Sequence, residues 1–348
     1  MAYNMYQDTI YVNETSNIPL MGVDFLGLID RGTNVIEIKP ITLCNLKCKY
    51  CFVSAGDYKT NFIVSSDYII KGIKKIIEIK GAHDIEIHIA PYGESLLYPE
   101  LYDLISKLWR IEGISTISMQ SNGLLLTKKI IKKLESLNLS RINVSLNTLN
   151  EDLARKLCGC KVYGINELLD NLNLLIASKI EVLIAPVWFP GKNDIDIENI
   201  IKYIISLKNQ GYPQIPKIGI QKYLVYKTGR KLSRTYPKSW GYFYEQLTKL
   251  EKKYKLKLKL GPKDFGIHRR ESISTLNLRK NDEIKLIIVS KGRWEQECIG
   301  KITEEIGIKV LLQKPLKFTE NMIGSEIKAK IIKANYKDNI LTARYPST

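Results

Sequence analysis

Short apolar runs with a period of two alternate with longer segments of helical period along the first two thirds of the chain. The runs 35–39 and 84–90 are typical of strands, whereas 66–80 repeats Ile and Tyr at helical spacing. The same alternation predicts strands at 115–120, 141–146, 180–187 and 217–225, and helices at 100–109, 128–137 and 165–179. Strand and helix in this order form parallel βαβ units. The pattern therefore predicts an α/β fold, a partial (β/α)6 barrel of the TIM type.

The pattern changes from Glu283 onward, where short strand-like runs follow one another without helices. They cover 284–289, 298–302, 308–313, 326–334 and 340–344, separated by Gly and Pro. Short strands at this spacing predict a small all-β barrel of the OB type. We expect an N-terminal extension over 1–32 that packs on the barrel, an α/β barrel over 33–275 with a basic final part, and the small barrel over 282–348.

Cysteines are concentrated in one loop directly after the first predicted strand of the α/β barrel. Cys44, Cys48 and Cys51 have the spacing Cys-x3-Cys-x2-Cys. Three thiolates can hold three irons of a [4Fe-4S] cluster and leave the fourth iron open. A zinc site or coincidental buried thiols are the alternatives, but zinc prefers four ligands and no second pair follows nearby. With Tyr50 before the last cysteine, the motif resembles that of the radical S-adenosylmethionine (radical SAM) superfamily.

This resemblance implies two cofactors, the [4Fe-4S] cluster and S-adenosylmethionine. In the superfamily a Gly-Gly-Glu-like element ends the second strand and binds the methionine amino group, and Tyr92-Gly93-Glu94-Ser95 matches it with one Gly replaced by Tyr. Gly allows a close backbone approach, and a carboxylate accepts hydrogen bonds from an ammonium group. The predicted S-adenosylmethionine contacts are Tyr50, Gly93, Glu94, Asn122, Ser145 and Asn147.

Three further cysteines lie outside the motif. Cys158 and Cys160 form Cys-Gly-Cys, and Cys298 belongs to the predicted C-terminal barrel. A second cluster on these thiols is the functional interpretation, but Cys-x-Cys is a cramped chelate. Partly buried structural thiols are the alternative that we favour.

Basic residues are strongly concentrated in one part of the chain. The net charge is +17, and residues 201–280 contain 20 Lys and Arg against 4 Asp and Glu. Such a block, interleaved with aromatic rings, is typical of a polyanion binder, although a solvated lysine-rich surface is an alternative. The predicted RNA contacts are Lys222, Tyr223, Lys227, Arg230, Lys231, Arg234, His268, Arg269 and Arg270.

The end of the chain has a second resemblance. The run Ile323-Gly-Ser-Glu-Ile-Lys-Ala-Lys-Ile, followed by Lys337-Asp-Asn-Ile-Leu-Thr-Ala, resembles the end of the TRAM domain, an RNA-binding barrel. The resemblances and the basic block predict a radical SAM enzyme that modifies an RNA nucleoside, with tRNA as the expected partner. The alternative is a radical SAM enzyme that modifies a small metabolite, a cofactor precursor or a peptide. A non-enzymatic RNA-binding or redox-sensing Fe-S protein is a third possibility.

Composition adds expectations about the setting. No signal-peptide pattern and no apolar stretch near about 18 residues is present, so we expect a cytoplasmic protein without a membrane. Only 43 residues precede Cys44 and none is Cys, which argues against the methylthiotransferases and the wyosine-forming enzymes. We expect a monomeric, single-cluster enzyme that receives electrons from an external donor such as ferredoxin or flavodoxin.

Overall fold

The structure is a computed structural model that describes residues 8–273, 276–334 and 338–346, so that Lys337 of the TRAM-like run lies outside the described residues. The helices are α1 Ser66–Lys80, α2 Leu101–Leu108, α3 Lys128–Ser136, α4 Glu151–Cys158, α5 Ile165–Ile176, α6 Asp194–Asn209 and α7 Trp240–Tyr254. The strands of the α/β part are β1 Thr9–Val12, β2 Gly27–Asp30, β3 Val35–Lys39, β4 Asn61–Val64, β5 Ile85–Ile89, β6 Ile114–Ser121, β7 Arg141–Val144, β8 Glu181–Ile184, β9 Val187–Trp188, β10 Lys217–Ile218 and β11 Gln221–Lys222. The strands of the C-terminal part are β12 Glu283–Lys291, β13 Glu297–Lys301, β14 Gly307–Leu312, β15 Glu326–Ala334 and β16 Leu341–Tyr345. None of the helices in these ranges is long and apolar enough to cross a membrane.

Helix α1 shows how the apolar spacing becomes structure. Ile69, Ile73 and Ile76 are completely buried and lie on one face, as a period of 3.6 residues requires. Ser65 caps the helix, because its hydroxyl accepts a hydrogen bond from the backbone N–H of Tyr68. The predicted bounds of this helix are confirmed.

The chain folds into two compact units, and the first collects the segments up to Leu43, Asp57–Ser115 and everything from Ile267 onward. Within it β2 is antiparallel to β3, β3 is parallel to β5, and β1 is parallel to β4. Helices α1 and α2 belong to the same unit. Because β3 and β5 are parallel, the loops that follow them both begin at the same edge of this pair.

The same unit contains the C-terminal barrel, a closed sheet in the order β12-β13-β14-β16-β15. Its interior is apolar, and Cys298 is completely buried there. The barrel is joined to the residues before β2: Gly307 donates its N–H to the Met21 carbonyl at 2.7 Å, and Leu341 donates to the Gly22 carbonyl at 2.8 Å. Gly22 has φ +98°, and a Cβ on it would lie 1.9 Å from the Gly307 oxygen, so only glycine fits.

The second unit contains Cys44–Gly56 and Thr116–Gly266. Here β7 lies between β6 and β8, and β10 follows β8, all in parallel pairs. A separate short pair joins β11 to β9. The predicted strands at 180–187 and 217–225 are each split into two pieces. Pro186 explains the first break, since proline has no N–H to donate to a neighbouring strand.

Two helices of this unit, α4 and α6, were absent from the sequence-based prediction. Helix α4 is capped by Asn150, whose side-chain oxygen accepts from the Leu153 N–H at 2.8 Å. This helix has only eight residues, so the helical spacing of its apolar residues repeats too few times to be recognised. The alternation of strands and helices, followed by the closed five-stranded barrel, confirms the predicted fold class.

Candidate functional site

The cysteine loop begins directly after β3 and places its three thiols on one short segment. Cys44, Cys48 and Cys51 form no disulfide and are partly exposed. The Cys51 N–H donates to the Cys48 carbonyl at 3.1 Å, so a tight turn separates the last two. Among the described residues, no three His, Cys, Asp or Glu side chains are placed to hold a single metal ion.

Two of the thiols lie in surroundings that favour the protonated form. A hydrogen bond with the Cys158 thiol, together with burial, raises the pKa of the Cys48 thiol well above its usual value. Burial also raises the pKa of the Cys51 thiol. The Arg230 charge acts in the opposite direction on both thiol pKa values. A metal ion that bound these sulfurs as thiolates would therefore release their protons.

Arg230 supports the loop from the segment that follows β11. Its Nε donates to the Cys48 carbonyl at 2.6 Å and its Nη2 to the Ala55 carbonyl at 2.7 Å. Its backbone N–H donates to the Cys51 carbonyl at 2.8 Å. Arg230 was predicted as an RNA contact, but the structure uses its side chain to hold the cysteine loop.

Tyr50 anchors the loop to the interior of the second unit. Its ring packs on Phe189 with centroids 4.7 Å apart, beside Leu157 and Tyr223. Asn147 donates its amide to the Tyr50 hydroxyl at 2.6 Å and accepts from the Val187 N–H at 2.7 Å. Both ends of the Asn147 side chain therefore already have protein partners, and Tyr50 is a structural anchor.

The next two predicted residues, Asn122 and Ser145, follow β6 and β7 in the same unit as the cysteine loop. Asn122 donates to the Asn45 side-chain oxygen at 2.7 Å, which ties the end of β6 to the cysteine loop. Ser145 accepts from the Gln120 amide at 3.0 Å. Both side chains remain partly exposed, so they stay candidates for contacts with S-adenosylmethionine.

The turn after β5 belongs to the first unit and carries the predicted Gly93 and Glu94. A Cβ on Gly93 would lie 2.1 Å from the Leu43 oxygen, and the Glu94 N–H donates to that oxygen at 2.8 Å. The turn is thus fixed to the residue immediately before Cys44. The Glu94 carboxylate is 2% exposed and accepts from the Leu96 N–H at 3.0 Å. A carboxylate at this turn can accept charge-assisted hydrogen bonds from the ammonium group of a ligand.

Tyr92, at the position where the superfamily has Gly, lies between two cations of the first unit. The Lys39 amine is 4.7 Å from its ring centre and the Arg293 guanidinium is 5.8 Å away. Lys39 also donates to the Ala90 carbonyl at 2.6 Å and pairs with Glu37. Burial lowers the pKa of Lys39 despite this pair. The C-terminal barrel, through Arg293, therefore reaches the residue beside the Gly93-Glu94 turn.

The remaining predicted RNA contacts are divided between the two units. Tyr223 is 2% exposed and packs in the core, so its ring is not available to stack on a base. Lys227, Lys231 and Arg234 are exposed, and Lys222 lies over the Trp240 ring at 4.9 Å. His268, Arg269 and Arg270 belong to the first unit, where Arg269 forms an isolated bridge with Thr33 and Arg270 donates to the His83 carbonyl at 3.1 Å.

Three features were missed in the sequence. The contact of Cys158 with Cys48 had no local signal, because 110 residues separate them. The support by Arg230 and the burial of Arg293 were also missed, since basic residues in loops are usually solvated. Cys160 is only partly buried, and with Cys298 inside the C-terminal barrel, the second-cluster interpretation gains no geometric support.

Comparisons with known proteins agree with this arrangement. The model of the Radical SAM superfamily matches residues 38–204. The uncharacterized protein MJ0103 of Methanocaldococcus jannaschii is 35% identical over 96% of this chain and 80% of its own length. A GTP 3',8-cyclase of Limosilactobacillus fermentum is 30% identical over 50% of this chain and 51% of its own length. The chain thus spans about half the length of the GTP 3',8-cyclases that it matches.

One solved structure supports the fold. The crystal structure of the FeFe-hydrogenase maturase HydG from Carboxydothermus hydrogenoformans has a TM-score of 0.51 at 17% identity, covering 62% of this chain and 50% of that chain. The matched family region contains the cysteine loop, the Gly93-Glu94 turn and the ends of β6 and β7. The chain belongs to the radical SAM superfamily, whose enzymes use a [4Fe-4S] cluster and S-adenosylmethionine.

Proposed function

We propose that this enzyme removes a hydrogen atom from a small phosphorylated metabolite, with a nucleotide as the first candidate. The observation that carries the proposal is the 30% identity with a GTP 3',8-cyclase over 179 residues, half of this chain. The excess of positive charge in residues 201–280 supports an anionic substrate. This differs from the RNA substrate that the sequence favoured.

In this proposal Cys44, Cys48 and Cys51 hold the cluster, and Glu94 accepts hydrogen bonds from the amino group of S-adenosylmethionine. When bound, the two cofactors supply one-electron cleavage of the sulfonium and a radical that abstracts hydrogen. The residues of this chain hold and orient them. Arg230 fixes the loop, and the contact between Gly93 and Leu43 fixes the turn that carries Glu94.

The experiment is anaerobic reconstitution followed by measurement of 5'-deoxyadenosine with dithionite as reductant. We expect its formation to rise severalfold with a nucleoside triphosphate over the unphosphorylated nucleoside. With ribose-deuterated GTP as substrate, deuterium should appear in 5'-deoxyadenosine. If phosphorylated metabolites give no stimulation while tRNA or a peptide does, the small-metabolite proposal is wrong.

A second candidate, an RNA nucleoside as substrate, is favoured by an exposed aromatic group at the start of α7. The Trp240 and Tyr244 rings stack with centroids 5.8 Å apart, and both are about half exposed. Lys222 lies over Trp240 at 4.9 Å, and Lys238 over the neighbouring Tyr242 at 5.7 Å. Exposed rings beside cations are suited to stack on unpaired bases and neutralise phosphates.

This second candidate is tested by tRNA binding as a function of salt. Trp240→Ala should weaken binding by about 1 to 3 kcal/mol if one base stacks there. Ile195→Ala is the matched control, since Ile195 is an exposed apolar side chain on α6. Equal affinity of the two variants, or no affinity of the wild type at low salt, would remove this candidate.

A further inference from the structure

We propose that the exposed face of the cysteine loop docks an acidic one-electron carrier protein. This docking face consists of Lys47, Lys49 and Phe52 of the loop together with Tyr226 and Lys227 of the segment that follows β11. The proposal rests on the proposed function, because only an enzyme that cleaves S-adenosylmethionine reductively needs this electron.

The loop has an inner and an outer face. Leu46 is buried and Tyr50 packs inside the second unit, whereas Lys47 and Lys49 are exposed. Phe52, directly after Cys51, is 51% exposed. About half of this apolar ring is therefore exposed to solvent beside Cys51.

A second exposed ring joins Phe52 from the other segment. Tyr226 is 50% exposed, and the two ring centroids are 5.8 Å apart. The segment is fixed there, because a Cβ on Gly229 would lie 2.5 Å from the Phe52 oxygen and the Ser54 hydroxyl donates to the Thr228 carbonyl at 2.9 Å. The aromatic pair is therefore preorganised and needs little ordering when a partner binds.

The two segments that form the docking face carry charge of one sign. Residues 44–56 contain two lysines and no acidic residue, and residues 226–234 contain only basic charged residues. An aromatic centre with a charged rim is the composition of a transient protein interface. A basic rim steers an acidic partner and raises the association rate constant by about 10- to 1000-fold.

The position of this face favours an electron carrier over RNA. The face is built on the loop that binds the cluster, and Cys51 itself is partly exposed, so a docked protein approaches the cluster closely. In the step proposed here, the reduced carrier is oxidised by one electron and the oxidised cluster is reduced by one. No bond forms or breaks and no proton moves.

The test compares two triple charge reversals. Lys47→Glu, Lys49→Glu and Lys227→Glu change the docking face, whereas Lys128→Glu, Lys129→Glu and Lys132→Glu change exposed lysines of α3 by the same charge. Stopped-flow absorbance follows cluster reduction by reduced flavodoxin and, separately, by dithionite. We expect the flavodoxin rate constant of the docking-face variant to fall at least about tenfold at low salt, with the dithionite rate unchanged. The α3 variant should behave like the wild type.

A binding measurement keeps the proposal falsifiable without the cluster. Flavodoxin affinity for the cluster-free protein should fall about tenfold in the docking-face variant, and also in Phe52→Ala, and should decline with salt in the wild type. Equal flavodoxin rates and affinities in both triple variants would overturn the docking proposal, even in an enzyme that cleaves S-adenosylmethionine with dithionite. Loss of tRNA binding with unchanged flavodoxin binding would overturn it too, and would identify an RNA surface. Failure of the wild type to assemble a cluster would instead refute the proposed function, and the affinities of the cluster-free protein would still decide the docking proposal.

Discussion

Arg230→Ala gives the sharpest test of how the cysteine loop is held. The substitution removes two guanidinium hydrogen bonds, to the Cys48 carbonyl at 2.6 Å and to the Ala55 carbonyl at 2.7 Å. It keeps the hydrogen bond from the Arg230 backbone N–H to the Cys51 carbonyl. The loop should therefore keep its other attachments, including those of Tyr50 and Ser54, and lose those that the guanidinium makes at Cys48 and Ala55.

The magnitude follows from these two bonds. A hydrogen bond from a charged donor contributes about 1.5 to 3 kcal/mol, and partial exposure of Arg230 places each bond at the lower end of that range. The loop should thus lose about 3 kcal/mol of stability, which corresponds to a roughly hundredfold larger population of open loop. The positive charge beside Cys48 and Cys51 is lost as well, so cluster binding weakens further.

Two measurements check this expectation. In the cluster-free variant, hydrogen exchange of the amides in 44–56 should accelerate by roughly a hundredfold, while exchange in α1 is unchanged. After anaerobic reconstitution, the variant should release iron to a chelator much faster than the wild type. Lys231→Ala is the control, since Lys231 is the exposed neighbour. Arg230→Lys should give intermediate rates of amide exchange and iron release, because a lysine amine lacks the planar geometry with which the guanidinium donates to two carbonyls. If Arg230→Ala retains iron and exchanges amides like the wild type, the supporting role is wrong.

The other predictions concern the cofactors, the barrel and pH. Cys48→Ala should lose most of the roughly four irons per chain measured after reconstitution, whereas Cys298→Ala should keep them because that thiol is buried in the C-terminal barrel. Glu94→Ala should keep its iron but bind S-adenosylmethionine roughly tenfold or more weakly in calorimetry, because a charge-assisted hydrogen bond is lost; unchanged affinity would place the amino-group contact elsewhere. Deleting 282–348 should lower the thermal midpoint and weaken S-adenosylmethionine binding, since this barrel packs within the first unit; an equally stable truncated protein would contradict this. Burial raises the pKa of Asp24, but the charges of Lys309 and Arg293 and the hydrogen bond from Lys309 together outweigh this, so that the folded pKa lies below the usual 3.8. The stabilisation from Asp24 is thus complete above the unfolded pKa and is lost as pH falls through the folded pKa. In Asp24→Asn, the free energy of unfolding measured in urea should therefore vary less between about pH 4 and pH 2 than in the wild type.

The sequence predicted what depends on local periodicity. Helix α1 was found because its isoleucines repeat at helical spacing and Ser65 provides a cap. The barrel strands were found because Gly and Pro separate them. The cysteine loop was found because its three thiols are close in the chain, and their spacing alone narrows the kind of metal centre that they can form.

Contacts between distant segments were not predictable in this way. Arg230 and Tyr223 both belong to a basic, aromatic stretch that reads as a binding surface, yet one supports a loop and the other is buried. Charge and ring content describe a segment, whereas burial depends on what packs against it. Asn147 shows the same effect, because its predicted cofactor contact competes with hydrogen bonds to Tyr50 and Val187.

The C-terminal barrel makes buried contacts with other segments of the first unit. A separable RNA-binding module needs few buried contacts with its neighbour. Here the Arg293 guanidinium lies 4.2 Å from the Phe25 ring centre and 5.2 Å from that of Tyr58, and it is paired with Glu297. The Arg293 carbonyl also accepts the Lys59 N–H at 2.9 Å. Because the same guanidinium faces Tyr92, the barrel supports the turn that presents Glu94, and an RNA-binding role is not needed to explain why the chain carries it.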